Sequence, residues 1–424
     1  MTDFTAAKLS RLPNGLRVVS YEMASAQSAS LGIYIGAGAR DETPAQHGIA
    51  HMLEHMAFKG TTSRSAADIA AEVESVGGYM NAHTSREETA YYIRALPEHL
   101  GLAMDILSDI LLNTSLPAHE LERERGVILQ EIGQSLDTPD DLVFDRFTAS
   151  CYPGQSIGQP ILGTADSVSG FSAADLKGFM SSYYGAEQML VVATGKITHD
   201  DIVALALDRL GGLAKAGHPN RQTPAFNAGR DIMVRDLEQS HVIFGLASPP
   251  AGDPDRYALG LLSNLYGGSM SSRLFQQVRE ERGLCYSIFS FPQTNSDSGV
   301  FGIYAGTSPE QVDELLAVSA GALADIAGKT EETELARAKA QLRAGMLMAQ
   351  ESVTGMMESL ARQMMIFGQP VDRQKVLDDI EAVSCRDIEK VATRLIETSK
   401  PALAVLGPSG PVMDNERLCQ HLAG

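Results

Sequence analysis

The stretch TPAQHGIAHMLEHMAFKG at residues 43–60 contains the most informative pattern in the chain, His51-x-x-Glu54-His55. In a helix, positions four apart lie about 40° apart around the axis, so His51 and His55 would share one face. Two imidazoles on one face can bind a single tetrahedral Zn²⁺ ion, which accepts nitrogen and carboxylate ligands. Glu54 would lie next to them, where it could act on a water molecule without being a ligand itself.

The sequence around this pattern favours a helix. Thr43 is a residue type preferred before a helix, and Pro44 is a residue type preferred at the first helical position, so we predict that the helix starts there. The glycine at position 60 predicts its end. Between them runs an apolar stripe at helical spacing, formed by Ile49, Met52, Leu53 and Met56. The alternative is that both histidines and the glutamate are ordinary residues of a solvated helix.

A second predicted helix, at residues 121–132, offers a third metal ligand. Glu124 and Glu131 are seven residues apart, and two helical turns are about seven residues, so both carboxylates share one face. Acidic side chains on a surface helix are usually only solvated. Their occurrence together with the histidine pattern favours a metal site.

Together these residues resemble the inverted-zincin metallopeptidases of the pitrilysin and insulin-degrading enzyme family, whose ligand glutamate lies about 75 residues beyond the second histidine. Glu131 stands at that distance from His55. The resemblance implies one Zn²⁺ ion per chain, held by His51, His55 and Glu131. It further implies that Glu54 is the general base and that Glu124 is a supporting acid.

The segment that follows Gly77-Gly78 resembles the edge strand with which this family binds an extended peptide. The resemblance places Asn81 and Ala82 among the substrate-binding residues. His83 stands where the family usually has an aromatic residue, and we interpret it as a strand histidine rather than a fourth ligand. The alternative for the whole segment is a turn followed by an ordinary strand.

An internal repeat indicates the architecture. Residues 253–265 align with residues 43–55 at an offset of 210, which places Leu261, Asn264 and Leu265 at the positions of His51, Glu54 and His55. The second half therefore keeps the pattern of the fold and lacks the metal ligands. Because strands and long helices do not alternate strictly in either half, we predict an α+β fold of two related halves.

We predict three parts of the chain. Residues 1–213 form the zinc-binding catalytic domain, residues 214–228 form a linker rich in Pro, Gly and polar residues, and residues 229–424 form a related domain without ligands. The resemblance implies that the two halves face each other around a chamber. The second half would then serve as a substrate-binding wall.

Arg279 and Tyr286 are the candidate catalytic residues of the second half. They are seven residues apart, the spacing of an Arg and a Tyr that reach toward the substrate and the developing oxyanion in the family. The alternative is a salt-bridged surface arginine and a core tyrosine. Arg282 is a nearby competitor for the same role.

Three further residues match substrate-specificity positions of processing peptidases. Asp141 and Asp145 lie ten and fourteen residues past Glu131, where acids recognise an arginine two residues before the cut. Phe58 matches the residue that receives an apolar side chain just after the cut. The alternative is a solvated acidic helix end and a core phenylalanine, and Pro139 could break the helix before the two acids.

Composition limits the class of protein. A net charge of −19 argues against nucleic acid and anionic membranes as partners, and no apolar run is long enough to span a membrane. The four cysteines lack C-x-x-C spacing, which favours a reducing setting. We therefore predict a bacterial cytoplasmic protein, or an organelle-matrix protein if a presequence has been removed.

The sequence predicts a zinc-dependent endopeptidase of the processing-peptidase type, acting on peptides or unfolded protein segments. A general peptide-degrading oligopeptidase is one alternative. A non-catalytic scaffold, like the core proteins of the respiratory bc₁ complex, is another, although a scaffold has no need of the intact set of four metal-site residues. The resemblance further implies a dimer, and we predict a homodimer because one chain carries both the zinc pattern and the Arg/Tyr pair.

Overall fold

The structure is a computed structural model that describes residues 7–424. Its strands are β1 (Lys8–Arg11), β2 (Arg17–Glu22), β3 (Ala29–Ile35), β4 (Tyr79–Thr84), β5 (Thr89–Ala95), β6 (Met189–Gly195), β7 (Arg230–Val234), β8 (Ser240–Ala247), β9 (Cys285–Thr294), β10 (Gly299–Thr307) and β11 (Ala402–Gly407). Its α-helices are α1 (Ile49–Ala57), α2 (Ala66–Ser75), α3 (Leu100–Leu112), α4 (Ala118–Asp137), α5 (Pro139–Cys151), α6 (Ala165–Gly170), α7 (Ala173–Tyr183), α8 (His199–Leu210), α9 (Arg256–Gly267), α10 (Val312–Gly328), α11 (Glu332–Ala349), α12 (Val353–Phe367), α13 (Arg373–Ala382), α14 (Cys385–Thr398) and α15 (Asn415–Ala423).

The strands form two sheets with the same plan. The first has the order β1-β2-β6-β3-β5-β4, and the second has the order β7-β11-β8-β10-β9. In each, one pair is parallel, β2 with β6 and β7 with β11, and the remaining neighbours are antiparallel. Apart from β1, every strand of the first sheet has a counterpart in the second. This confirms the predicted α+β class and the predicted relation between the two halves.

Two compact units contain these sheets. Of the described residues, the first unit contains 7–133, 159–222 and 347–372, and the second contains 134–158, 223–346 and 373–424. Each half of the sequence thus contributes a segment to the unit that the other half mainly builds. The predicted domains, residues 1–213 and 229–424, remain a prediction about the halves of the sequence.

The exchanged segments are held by apolar packing. Helix α5 buries Val143, Phe147 and Cys151 in a core with strands of the second sheet. Helix α12 buries Met357, Leu360 and Met364 against β3 and β6 of the first sheet. Such residues are typical of a core, and burying a side chain of this size contributes roughly 1.5–3 kcal/mol. Nothing in the local sequence says which sheet each helix covers.

Helix α1 starts later than predicted. Thr43 and Pro44 do begin a helical turn, but it is a short 3-10 turn that ends at Gln46. The chain then turns at Gly48, whose φ of 92° lies in the left-handed region, and α1 runs from Ile49 to Ala57. Position 48 is also tightly packed, since the carbonyl oxygen of Leu162 would lie 2.6 Å from a Cβ there.

The helix that carries Glu131 ends before the two predicted specificity acids. Helix α4 stops at Asp137, and Pro139 occupies the first turn of the new helix α5. Asp141 and Asp145 therefore do not continue the helix of Glu131. They remain four residues apart within α5.

Among the helices of residues 7–424, none combines the length and the apolarity that a membrane crossing needs.

Candidate metal centre

Helix α1 presents its two histidines side by side. The rings of His51 and His55 have centroids 4.7 Å apart and are inclined at 65°. The opposite face of the helix is fixed in the core of the first unit by Met52, Leu53 and Met56. The apolar stripe thus holds the helix while the histidines face the other way.

Helix α4 brings a carboxylate to both rings. Glu131 Oε2 lies 3.7 Å from His51 Nε2 and 3.6 Å from His55 Nε2. A tetrahedral zinc with ligand bonds of about 2.0–2.2 Å would hold its ligand atoms about 3.3–3.6 Å apart. The donor types fit a zinc ion, and the separations of 3.6 and 3.7 Å lie at the upper end of this range and just above it. Within residues 7–424, this trio is the one cluster of three or more His, Cys, Asp or Glu side chains that could hold a metal.

His51 is set to act as a neutral ligand. Burial, and secondly the neighbouring His55, lower the pKa of His51 to about 4, so its imidazole is uncharged at neutral pH. A metal ligand must be deprotonated, and this histidine meets that requirement without the metal. Its Nδ1 atom is buried and has no hydrogen-bond partner within the described part of the chain.

His55 has the supporting acid predicted from sequence. Its Nδ1 lies 2.8 Å from Glu124 Oε2, and the other oxygen of Glu124 lies 2.7 Å from Lys59 Nζ. Burial opposes the ionised form of Glu124, but the hydrogen bonds of Lys59 and His55 outweigh it and lower the pKa. A carboxylate on Nδ1 leaves Nε2 free to face Glu131. Sequence inspection missed Lys59, which lies just beyond α1.

Replacing Glu124 with glutamine should weaken zinc binding about 10- to 100-fold, because His55 would lose the charged partner that fixes its ring. Competition with a metal-binding dye measures this directly. The control is Glu122→Gln, since Glu122 lies exposed on the same helix and pairs with Arg125. Equal zinc affinity in the two variants would contradict the role of Glu124.

Glu54 lies in a position suited to a general base. It is half-buried on α1, and the Thr84 hydroxyl donates a hydrogen bond of 2.6 Å to its Oε2. Burial raises the pKa of Glu54, while the bond from Thr84 and the nearby His55 act in the opposite direction. A carboxylate whose pKa is raised toward neutrality is a better proton acceptor than an exposed one.

Glu42 supports the start of α1 and was missed by sequence inspection. Its two carboxylate oxygens accept hydrogen bonds of 2.8 Å from the backbone N–H groups of Gly48 and Ala50. These are among the donors that the first turn of a helix leaves without partners. An acid six residues before a glycine that precedes a helix is the available signal, and it is a weak one.

Comparison with known proteins shows the family of the chain. The model of the family described as insulinase (peptidase family M16) matches residues 17–165, and the model described as peptidase M16 inactive domain matches residues 170–342. An uncharacterized zinc protease of Rickettsia felis is 38% identical over 403 residues, which cover 95% of this chain and 97% of the relative. The chain belongs to peptidase family M16. The resemblance predicted from sequence is thereby confirmed.

Another relative and two solved structures match over similar lengths. An uncharacterized zinc protease of Mycobacterium tuberculosis is 38% identical over 413 residues, 96% of this chain and 94% of its own. The crystal structure of a protease from Helicobacter pylori superposes with a TM-score of 0.87 at 24% identity, covering 95% of this chain and all of that one. A chain of complex III₂ from Candida albicans has a TM-score of 0.86 at 19% identity, covering 98% of this chain and 100% of its own. The two structures show the shared fold.

The M16 chain has its predicted edge strand. Strand β4 pairs with β5 alone, so its outer side meets no other strand within the described residues. Asn81 is exposed, Ala82 is buried, and the Ala82 N–H donates to Asn81 Oδ1 at 2.9 Å. Phe58, at the end of α1, is half-buried with its ring 6.1 Å from that of Tyr91.

His83 does not join the metal ligands. Its Nε2 lies 3.7 Å from a carboxylate oxygen of Glu88, and this neighbouring acid raises the pKa of His83. The side chain lies beside the rings of Tyr34 and Tyr92, at centroid distances of 6.5 and 6.4 Å. This agrees with its interpretation as a strand histidine.

In the second unit, the structure brings Arg279 and Tyr286 together. The Arg279 guanidinium lies 4.7 Å from the ring centre of Tyr286 and 4.5 Å from that of Phe275. Tyr286 is 80% exposed, so the alternative of a core tyrosine is wrong. Arg282, the competitor of Arg279 for the same role, lies 3.5 Å from Glu281.

The structure also shows where the remaining predicted residues of the M16 chain lie. Leu261 and Leu265, which replace the two histidines in the repeat, are buried on α9. Asp141 is exposed on α5 and Asp145 is half-buried there. These acids belong to the second unit, whereas Glu131 belongs to the first.

Proposed function

We propose that the chain is a zinc-dependent endopeptidase that cleaves extended peptides and unfolded protein segments. The observation that carries this proposal is the meeting of His51 Nε2, His55 Nε2 and Glu131 Oε2 in one cluster. Glu54 lies one residue from His55 and is half-buried. The relatives that match over nearly the whole chain are named zinc proteases, which supports the same conclusion.

The proposed reaction divides the work among a few groups. When bound, Zn²⁺ would polarise the scissile carbonyl and increase the acidity of a water molecule. Glu54 accepts the proton of the attacking water and passes it to the leaving amine. Glu124 holds His55 in the tautomer that ligates. Tyr286 and Arg279 are proposed to donate hydrogen bonds to the oxyanion or to the substrate backbone.

Peptide binding is assigned to the outer edge of β4. A free edge offers backbone N–H and C=O groups to an added strand, which suits a substrate in extended form. The Ala82 N–H now donates a hydrogen bond to the side-chain oxygen of Asn81. A carbonyl oxygen of the incoming peptide would replace that oxygen as the acceptor. Phe58 is proposed to receive the side chain just after the cut.

A non-catalytic scaffold is the main rival from a different class. The similarity to a chain of complex III₂ concerns the fold alone and does not favour that role. The intact set of His51, His55, Glu131 and Glu54 favours catalysis, because a scaffold has no need of all four. Assembly as a homodimer remains a prediction of the family resemblance, as does the chamber between the two halves.

A cleavage-site survey tests the proposal and its substrate class. A peptide library is incubated with the protein, with and without a chelator, and the products are mapped by mass spectrometry. We expect internal cuts that disappear with the chelator. Cuts in every sequence context would favour the general oligopeptidase, and cuts that resist the chelator would contradict the metallopeptidase.

The survey should show a preference for arginine two residues before the cut, because Asp141 and Asp145 could bind a guanidinium between them. Replacing both acids with asparagine should lower kcat/KM for arginine peptides about 10-fold or more, since charged hydrogen bonds contribute roughly 1.5–3 kcal/mol each. Matched peptides with glutamine in place of arginine serve as the control and should be cleaved as before. Equal losses for both peptide sets would mean that the two acids are structural.

A further inference from the structure

The last residue of the edge strand touches the proposed base. Thr84 ends β4, and its Oγ1 donates to Glu54 Oε2 over 2.6 Å, although the two residues are 30 positions apart. The same hydroxyl lies 3.5 Å from the carbonyl oxygen of Ala50. A hydroxyl has a single proton to donate, and the much shorter contact to the carboxylate takes it.

This bond fixes how the carboxylate is presented. A glutamate side chain has three rotatable bonds, and ordering it costs conformational entropy that a good partner must offset. Thr84 occupies one lone pair of Oε2, whereas Oε1 keeps both of its lone pairs for accepting a proton. A bond to an ionised acceptor is about twice as strong as a neutral one.

We infer that Thr84 is a positioning residue that holds Glu54 in place for proton transfer. The inference rests on the proposed function, since it presumes that Glu54 is the base. It also joins two parts of that proposal. Thr84 belongs to β4, the strand with which the substrate would pair. The same strand would therefore position both the bound peptide and the base.

The end of the strand does not depend on this hydroxyl. The turn after Thr84 is closed by the Ser85 N–H, which donates to the Glu88 carbonyl at 2.8 Å, and by the Ser85 hydroxyl, which accepts the Glu88 N–H at 3.1 Å. Thr84 itself pairs with Thr89 through the backbone of β5. Removing the Thr84 hydroxyl should therefore leave the strand and the metal ligands in place.

The experiment compares Thr84→Val, which keeps the shape and loses the donor, with Thr84→Ser, which keeps the donor. We expect Thr84→Val to lower kcat about 10- to 100-fold, the effect of a misplaced catalytic group. KM and zinc content should not change, and Thr84→Ser should stay within about 3-fold of wild type. A crystal structure of Thr84→Val should show the Glu54 carboxylate moved or split between conformers.

A second background separates positioning from a structural role. In Glu54→Gln, the added Thr84→Val change should cost nothing further, because the base that it positions is already absent. An equal loss in both backgrounds, or a normal kcat in Thr84→Val, would overturn the inference. If Thr84→Val loses zinc, Thr84→Ala is used; zinc loss in both variants also overturns it. Full activity in Glu54→Gln alone would instead refute the proposed function.

Discussion

Replacing Glu54 with glutamine should lower kcat by about 10²- to 10⁴-fold, the usual contribution of a general base. The amide has nearly the same shape as the carboxylate and cannot accept the water proton. Zinc content should stay at that of wild type, because the proposed ligands are His51, His55 and Glu131 and none of them is changed. The measurement is kcat on a defined peptide together with metal analysis of the same preparation.

A matched control removes an acid elsewhere in the first unit. Glu74 is exposed near the end of α2, and Glu74→Gln should behave as wild type in both measurements. Undiminished turnover in Glu54→Gln would contradict the mechanism. A variant that loses both turnover and zinc would instead assign Glu54 to the metal ligands.

Removal of the metal should abolish cleavage, and Glu131 is the proposed ligand whose loss tests the site most specifically. Glu131→Gln removes the carboxylate that both imidazoles face, at 3.6 and 3.7 Å. We expect zinc affinity to fall by more than the roughly 10- to 100-fold expected for loss of a supporting acid such as Glu124. Dye competition measures the affinity, with Glu122→Gln again as the control. Unchanged affinity in Glu131→Gln would remove it from the ligand set.

Much of the site could be predicted from sequence because its spacing is set by helices. A spacing of four positions places His51 and His55 on one face of α1, and the structure shows their rings in contact. The number of residues between His55 and Glu131 does not by itself show that the two side chains lie close together. The family resemblance supplied that link, and the structure places the carboxylate beside both rings.

The start of α1 illustrates where local signals mislead. Thr43 and Pro44 are sound start signals, and they do start a helical turn. They could not show that a left-handed Gly48 and the carboxylate of Glu42 would set the first turn of α1 instead. Tight packing at residue 48 decides the outcome, and that packing involves residue 162, far along the chain.

The supporting side chains were hidden because their partners are distant in sequence. Lys59 meets Glu124 across 65 residues, and Thr84 meets Glu54 across 30. The exchange of α5 and α12 between the compact units has the same origin, since an apolar helix face does not specify which sheet it covers. The internal repeat was recognisable because each of its two copies is a short pattern of neighbouring residues.

Zinc titration of the metal-free protein tests the central claim most directly. The apoprotein is prepared with a chelator, and peptide cleavage is measured as zinc is added in known amounts. We expect activity to rise linearly and to stop rising at one zinc per chain, with no recovery in Glu54→Gln despite the same zinc uptake. Full cleavage by the apoprotein, or zinc uptake that is unchanged in His51→Ala and His55→Ala, would contradict the account.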